Sequence, residues 1–259
     1  MSTPATPAPE GATDRTPSLF DDPGLFGRLW ADTYDGPGNP DPAPAVDLLA
    51  DLAGGGPVLE LAIGTGRVAL PLAERGLDVE GVEASPEMVA KMRAKPEGDR
   101  LPVTIGDMAD VPVPGPYRLA YLVFNTLFNL VDAERQAACF RNVARVLAPG
   151  GAFVIEAFVP DPADFDRDEQ VHMRSVTEDS ATIRVHQYDR AAQTFVRQTI
   201  TFDREGVHLH PFSMRYLWPN QIDELAERAG LRLADRYADW HRSPFITSST
   251  SHVSVYRKP

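Results

Sequence analysis

Val58-Leu-Glu-Leu-Ala-Ile-Gly-Thr-Gly-Arg-Val-Ala-Leu70 is the stretch that decides the fold. It begins as a short apolar run, Val58 to Ala62, long enough for one buried strand. Gly64 and Gly66 follow, and helical spacing takes over from Arg67 to Glu74, stopped by Gly76. Glycine lets a backbone turn through φ > 0 and lets a ligand approach it closely. A strand running into such a turn, with a helix beyond it, is the usual entry to a ligand crevice in an open α/β sheet.

Downstream the same alternation repeats. Val79 to Val82 reads as a second strand and Pro86 to Ala94 as a helix, with Ser85 as N-cap and Pro86 in its first position. Val103 to Ile105 is a third strand. Leu119 to Phe124 is a fourth, continuously apolar as a strand covered on both faces should be. The helix Asp132 to Leu147 ends at Pro149, Gly150 and Gly151, and Ala152 to Phe158 is a fifth strand. Strands alternating with helices predict a doubly wound, mostly parallel sheet with right-handed crossovers.

Beyond it, Thr182 to Tyr188, Phe195 to Phe202 and Val207 to Tyr216 are β-rich and predict an antiparallel insertion. Asn220 to Ala229 is a last helix. Leu231 to Tyr237 and His252 to Arg257 complete seven core strands. Upstream, Leu25 to Tyr34 and Val46 to Leu52 read as helices. The expected division is a disordered Pro/Thr/Ala-rich tail at 1–20, lid helices and α/β core at 21–162, the insertion at 163–217, and a C-terminal helix with the last two strands at 218–259.

Composition narrows the function. A net charge of -12 without a Lys/Arg run argues against a nucleic-acid partner or an anionic membrane surface. No apolar run is long enough to span a bilayer, and the N-terminus lacks a basic start and apolar stretch, so a cytoplasmic protein is expected. The single cysteine, Cys139, sits beside Phe140 and Val143 and reads as a buried small hydrophobe. No Cys/His/Asp cluster completes a metal site. The reading leaves room for a homodimer.

Gly64, Gly66 and Ala69 satisfy a loose dinucleotide fingerprint, which alone decides little. Four further features surround it. Glu60 lies within the first strand. Glu83, with Ala84, ends the second, where a carboxylate can accept from two ribose hydroxyls. Met88 follows in Ser85-Pro-Glu-Met88, and Gly106-Asp107-Met108 follows the third strand. This ordered series resembles class I S-adenosylmethionine-dependent methyltransferases over about residues 43–158. Ala62 departs from it, standing where the family often has glycine. The resemblance implies that the turn of Gly64 and Gly66 lies against the methionine part of the cofactor and Glu83 holds its ribose. It also implies that Met88 packs on the adenine, Asp107 accepts from its amine, and the backbone N–H of Met108 faces the ring.

Asn125, at the predicted end of the fourth strand, is expected to orient acceptor or cofactor, with Thr126, Phe128 and Asn129 lining the acceptor pocket. Trp30 to Asp35 resembles the lid of small-molecule enzymes of the glycine and amino-sugar N-methyltransferase kind. That makes Tyr34 a positioning residue and Trp30 a pocket wall, and position alone pairs Arg28 with the cofactor carboxylate. His172, His186, His208 and His210 lie in the insertion, with His208 and His210 sharing one strand face. Trp240, His241, Pro244 and Phe245 are expected to close the pocket, His241 at the substrate.

The resulting expectation is methyl transfer from S-adenosyl-L-methionine to the N or O atom of a small metabolite. A C-methyltransferase, an NAD-dependent oxidoreductase and a non-catalytic cofactor-binding module remain alternatives. Methyl transfer is mainly a matter of alignment, to which orientation contributes on the order of 7–11 kcal/mol, so the lack of a nucleophilic triad does not count against catalysis.

Overall fold

The computed structural model describes residues 19–36, 39–165 and 167–259. The predicted tail lies outside these except for Leu19 and Phe20, which open a single 3-10 turn, Leu19–Asp21. Two helices follow, α1 (Leu25–Trp30) and α2 (Ala43–Ala53).

The core then runs β1 (Val58–Leu61), α3 (Ala69–Glu74), β2 (Val79–Glu83), α4 (Pro86–Arg93), β3 (Val103–Ile105), β4 (Tyr117–Leu122), α5 (Ala133–Val146) and β5 (Leu147–Phe158). After the insertion come α6 (Pro219–Arg228), β10 (Arg232–Tyr237) and β11 (Ser251–Arg257). The seven strands lie in the order β10-β11-β5-β4-β1-β2-β3. β11 runs antiparallel to both its neighbours, and the other neighbouring pairs are parallel. β1 and β4 sit centrally and are almost wholly buried because helices cover both faces, which explains why they are mainly apolar, apart from Glu60 and the exposed Arg118. The order reverses between β1 and β4, and the crevice at such a switch point is where ligands bind in open α/β sheets.

The caps obey local chemistry. Ser85 accepts from the Met88 N–H and starts α4, and Asp132 accepts from the N–H groups of Glu134 and Arg135 to start α5. Val146 ends α5 and β5 begins at the next residue, with residues 148–151 looped out between the Tyr117–Leu147 and Leu119–Ala152 pairs.

The insertion is a four-stranded antiparallel sheet of β6 (Glu169–Val176), β7 (Ala181–Asp189), β8 (Thr194–Asp203) and β9 (Gly206–Arg215). Its first strand was not foreseen. β6 is an edge strand, exposed at nearly every position, so it carries no inside–outside alternation to read. Phe212 and Met214 of β9 enter the main hydrophobic core, with Phe195 and Tyr188 packed against it, which seats the sheet over the crevice. Buried Gln136 of α5 locks it there. Its amide donates to the Arg215 carbonyl at 2.9 Å and accepts from the Arg215 guanidinium at 2.5 Å.

Candidate active site

A cavity of about 380 Å³ opens at the carboxyl ends of β1, β2 and β3. Ala62 and Gly64 of the glycine turn, Glu83 and Ala84 at the end of β2, Met88 of α4, and Gly106, Asp107 and Met108 after β3 all line it. Three short turns separated in sequence, with Met88 in the first turn of α4, thus converge because parallel strands end together on one edge of the sheet.

The turn is shaped by left-handed backbone at Ala62, Gly64 and Gly66, with φ of 53°, 57° and 76°. At Gly66 a Cβ would press into the side chains of Met92 and Leu70, so glycine is required by packing as well as conformation. Gly66 therefore supports the turn from below rather than lining the cavity. Ala62 holds a conformation that glycine would adopt without strain.

The Glu83 carboxylate accepts from the Gly64 N–H at 2.9 Å with one oxygen and from the Ser85 N–H at 2.9 Å with the other. Burial raises its pKa while these amide bonds pull it back. Asp107 is similarly held. It accepts from the Ala109 N–H at 2.7 Å and pairs with Arg135 at 2.5 Å. Arg135, which also lines the cavity, was not foreseen; only its placement one turn into α5 brings it to Asp107.

Glu60 lies outside the cavity, fully buried beneath it, and accepts from the Tyr121 hydroxyl at 2.8 Å across the β1–β4 pair. Burial pushes its pKa up to about 8, although the Tyr121 hydrogen bond opposes the shift. The carboxyl is therefore largely protonated at neutral pH.

The acceptor-side expectations divide. Thr126 and Asn129, in the 3-10 turn Thr126–Asn129, line the cavity. The Asn129 side-chain oxygen is buried there without a hydrogen-bond partner. Phe128 points into the core, edge-on to Phe158. Asn125 is a correction. β4 ends two residues earlier than expected, Asn125 turns left-handed at φ 64°, and its side-chain oxygen accepts from the Phe158 N–H at 2.6 Å. It ties the turn to β5 and does not line the cavity.

Helix α1 forms the opposite wall through Leu25, Phe26 and Gly27. Gly27 lies so close to α4 that a Cβ there would overlap the Ser85 side chain. Tyr34 follows in the turn after α1, half-buried and edge-on to Phe26 at 6.0 Å, outside the cavity lining. Its phenol pKa is raised by burial, opposed by Arg67 and reinforced by Glu60, Glu83 and Asp35. Asp35 anchors this segment by accepting from the Thr65 hydroxyl at 2.7 Å and pairing with Lys95 at 2.9 Å. Trp30 lies over His210 rather than in the cavity, and Arg28 is committed to Asp22.

Phe212 and Ser213 of β9 supply the roof, and no signal in the sequence tied them to the crevice. His241 is exposed on the far link between β10 and β11 and does not reach the cavity. His252 is buried, and burial lowers its pKa to about 4. Cys139 is a buried thiol whose pKa burial raises. Among the described residues no group of three or more His, Cys, Asp or Glu is arranged to hold a metal, and no helix is long and apolar enough to cross a membrane.

Residues 58–151 match the model of a methyltransferase domain. The structure of the CcbJ methyltransferase from Streptomyces caelestis is 36% identical, with a TM-score of 0.85 over 92% of this chain and 99% of that one. The cypemycin N-terminal methyltransferase of a Streptomyces species is 28% identical over 207 residues, 78% of this chain and 82% of that protein. An S-adenosylmethionine-bound amino pentose methyltransferase from Micromonospora echinaspora shares the fold, with a TM-score of 0.66 at 20% identity over 89% of this chain and 97% of that one.

Proposed function

Because the chain belongs to the class I S-adenosylmethionine-dependent methyltransferases of the small-molecule type, we propose that it transfers a methyl group from S-adenosylmethionine to an amine nitrogen of a small metabolite. The observation that carries this reading is that Asn129 lines the cavity and holds a buried carboxamide oxygen without a hydrogen-bond partner. A buried acceptor without a donor costs about 1–3 kcal/mol, so it favours a ligand that presents an N–H.

The cavity residues suit the cofactor. Glu83 retains lone pairs for ribose hydroxyls beyond its two amide bonds, Met88 offers an apolar face, and the glycine turn leaves room for an amino-acid tail. When bound, S-adenosylmethionine supplies a methyl group already activated by its sulfonium. The chain's own work is to bind, align and exclude water. Phe26 and Phe212 cover the crevice, Tyr34 closes beside the glycine turn, and Asn129 turns the acceptor N–H so that the nitrogen lone pair faces the cofactor.

An amine also fits what is lacking at the walls. A hydroxyl acceptor needs a base. No histidine is among the described residues lining the cavity; of its carboxylates, Asp22 pairs with Arg28, Asp107 with Arg135, Asp132 caps α5, and Glu83 accepts from two amides beside the ribose it would hold. Three proteins of similar sequence or fold carry names that indicate amine or amino-sugar acceptors.

Incubation with S-adenosylmethionine and separate pools of amino sugars, amino acids and short peptides tests the reading. Expected is S-adenosylhomocysteine formation with an N-methyl product identified by mass and NMR. A product methylated on oxygen or carbon would overturn the amine assignment, and tight binding of NAD(H) with none of S-adenosylhomocysteine would overturn the whole.

A further inference from the structure

The underside of the insertion sheet carries a concentration of positive charge that the cofactor site does not use. Cross-strand register puts Arg184, His186 and Tyr188 of β7 on the same face as Phe195, Arg197 and Thr199 of β8 and as Phe212 and His210 of β9. His172 of β6 joins them opposite Arg184, with its ring 5.4 Å from that of His186. Phe212 and Met214 show that this face is turned toward the core.

The cluster is short of acceptors. The side-chain Nε atoms of Arg184 and Arg197, Nδ1 of His186 and Oγ1 of Thr199 are buried without a hydrogen-bond partner, and Thr199 is only 9% exposed. No carboxylate among the described residues forms a salt bridge with Arg174, Arg184 or Arg197, in a chain whose net charge is -12. The guanidinium groups press on one another instead. Burial, then Arg184 and Arg174, lower the pKa of Arg197 to about 10. Burial, then Arg197, His172 and Arg184, lower that of His186 to about 4. Two buried guanidinium Nε–H groups without an acceptor are stable only at a cost, and an anion removes it.

The cluster adjoins the proposed acceptor site. The Arg197 guanidinium lies 4.4 Å over the ring of Phe212, and Phe212 itself lines the cofactor cavity. We propose that the methyl acceptor carries a carboxylate or phosphate, bound by Arg184 and Arg197 beneath the insertion sheet while its nucleophile enters the cavity past Phe212. This rests on the methyltransferase reading of the cavity and adds an anionic group to the acceptor.

Calorimetric titration of the S-adenosylhomocysteine-saturated protein with acetate and, separately, inorganic phosphate tests it, at constant ionic strength set with chloride. Saturable binding of one probe identifies which anion the site takes. Arg184→Gln and Arg197→Gln should each weaken that binding at least tenfold, whereas Arg197→Lys should retain most of it. S-adenosylhomocysteine affinity should stay within twofold in all three variants, which also reports an intact fold. Binding of neither probe to the wild type, or equal binding to the Gln variants, overturns the proposal. Failure of S-adenosylhomocysteine itself to bind would strike the cofactor assignment instead.

Discussion

The Glu83 carboxylate and the Gly64 N–H are joined by a 2.9 Å hydrogen bond, so the end of β2 and the turn after β1 form a single edge of the cofactor cavity. One acidic residue thereby shapes the turn and lines the cavity.

Replacing Glu83 with alanine removes both roles and leaves two amides without their acceptor. Calorimetry should show S-adenosylhomocysteine affinity falling at least tenfold, since a charged hydrogen bond contributes about 1.5–3 kcal/mol. Glu83→Gln keeps one oxygen for an amide and should fall between. Wild-type affinity in the alanine variant would refute the ribose assignment.

Glu60 makes stability depend on pH in a definite direction. Its pKa rises on folding to about 8 from an ordinary 4.5. The folded state therefore holds the proton more tightly, and the stabilisation is complete below about pH 4.5 and lost as pH rises to about 8. Relative to Glu60→Gln, the wild type should lose on the order of 3–5 kcal/mol across that window, at about 1.36 kcal/mol per pKa unit. Urea unfolding of both proteins at pH 5, 6.5 and 8 measures it; parallel pH dependence would contradict the assignment.

Gly27 fixes the contact between α1 and α4. Gly27→Ala should improve helix propensity by about 1 kcal/mol but overpack Ser85 by about 1–3 kcal/mol, displacing the wall that α1 gives the cavity. The expected outcome is a modestly lower melting temperature with five- to tenfold weaker S-adenosylhomocysteine binding. A more stable variant with unchanged affinity would show that the contact is not tight.

Asn129→Leu removes a buried oxygen that has no partner. Thermal unfolding of the free protein should be unchanged or improved by up to about 1 kcal/mol, because no hydrogen bond of that oxygen is lost. Turnover of an amine acceptor should fall at least tenfold. Loss of stability with normal turnover would mean that Asn129 serves the fold.

Local signals made much of this protein legible. The glycine turn, the Ser85 cap and the apolar runs of β1 and β4 each depend on residues next to one another, and the parallel order follows from their alternation. Glu83, Met88 and Gly106 to Met108 converge because each follows a strand of one parallel sheet. Asn125 misled because a strand end was read from hydrophobicity, whereas the chain had already turned left-handed one residue earlier, at Phe124. β6 escaped because an edge strand exposed at nearly every position leaves no pattern.

The sequence alone determined the doubly wound core and the ring of residues at its carboxyl edge, since strand periodicity, helix caps and glycine turns are encoded within a few residues. Only the tertiary structure decided that Phe212 roofs the cavity, that Gln136 grips Arg215, and that Arg184 and Arg197 share one face of the insertion sheet with His172 and His186. Those relations depend on strand register and on how a separate sheet docks, and both arise from packing between segments far apart in the chain.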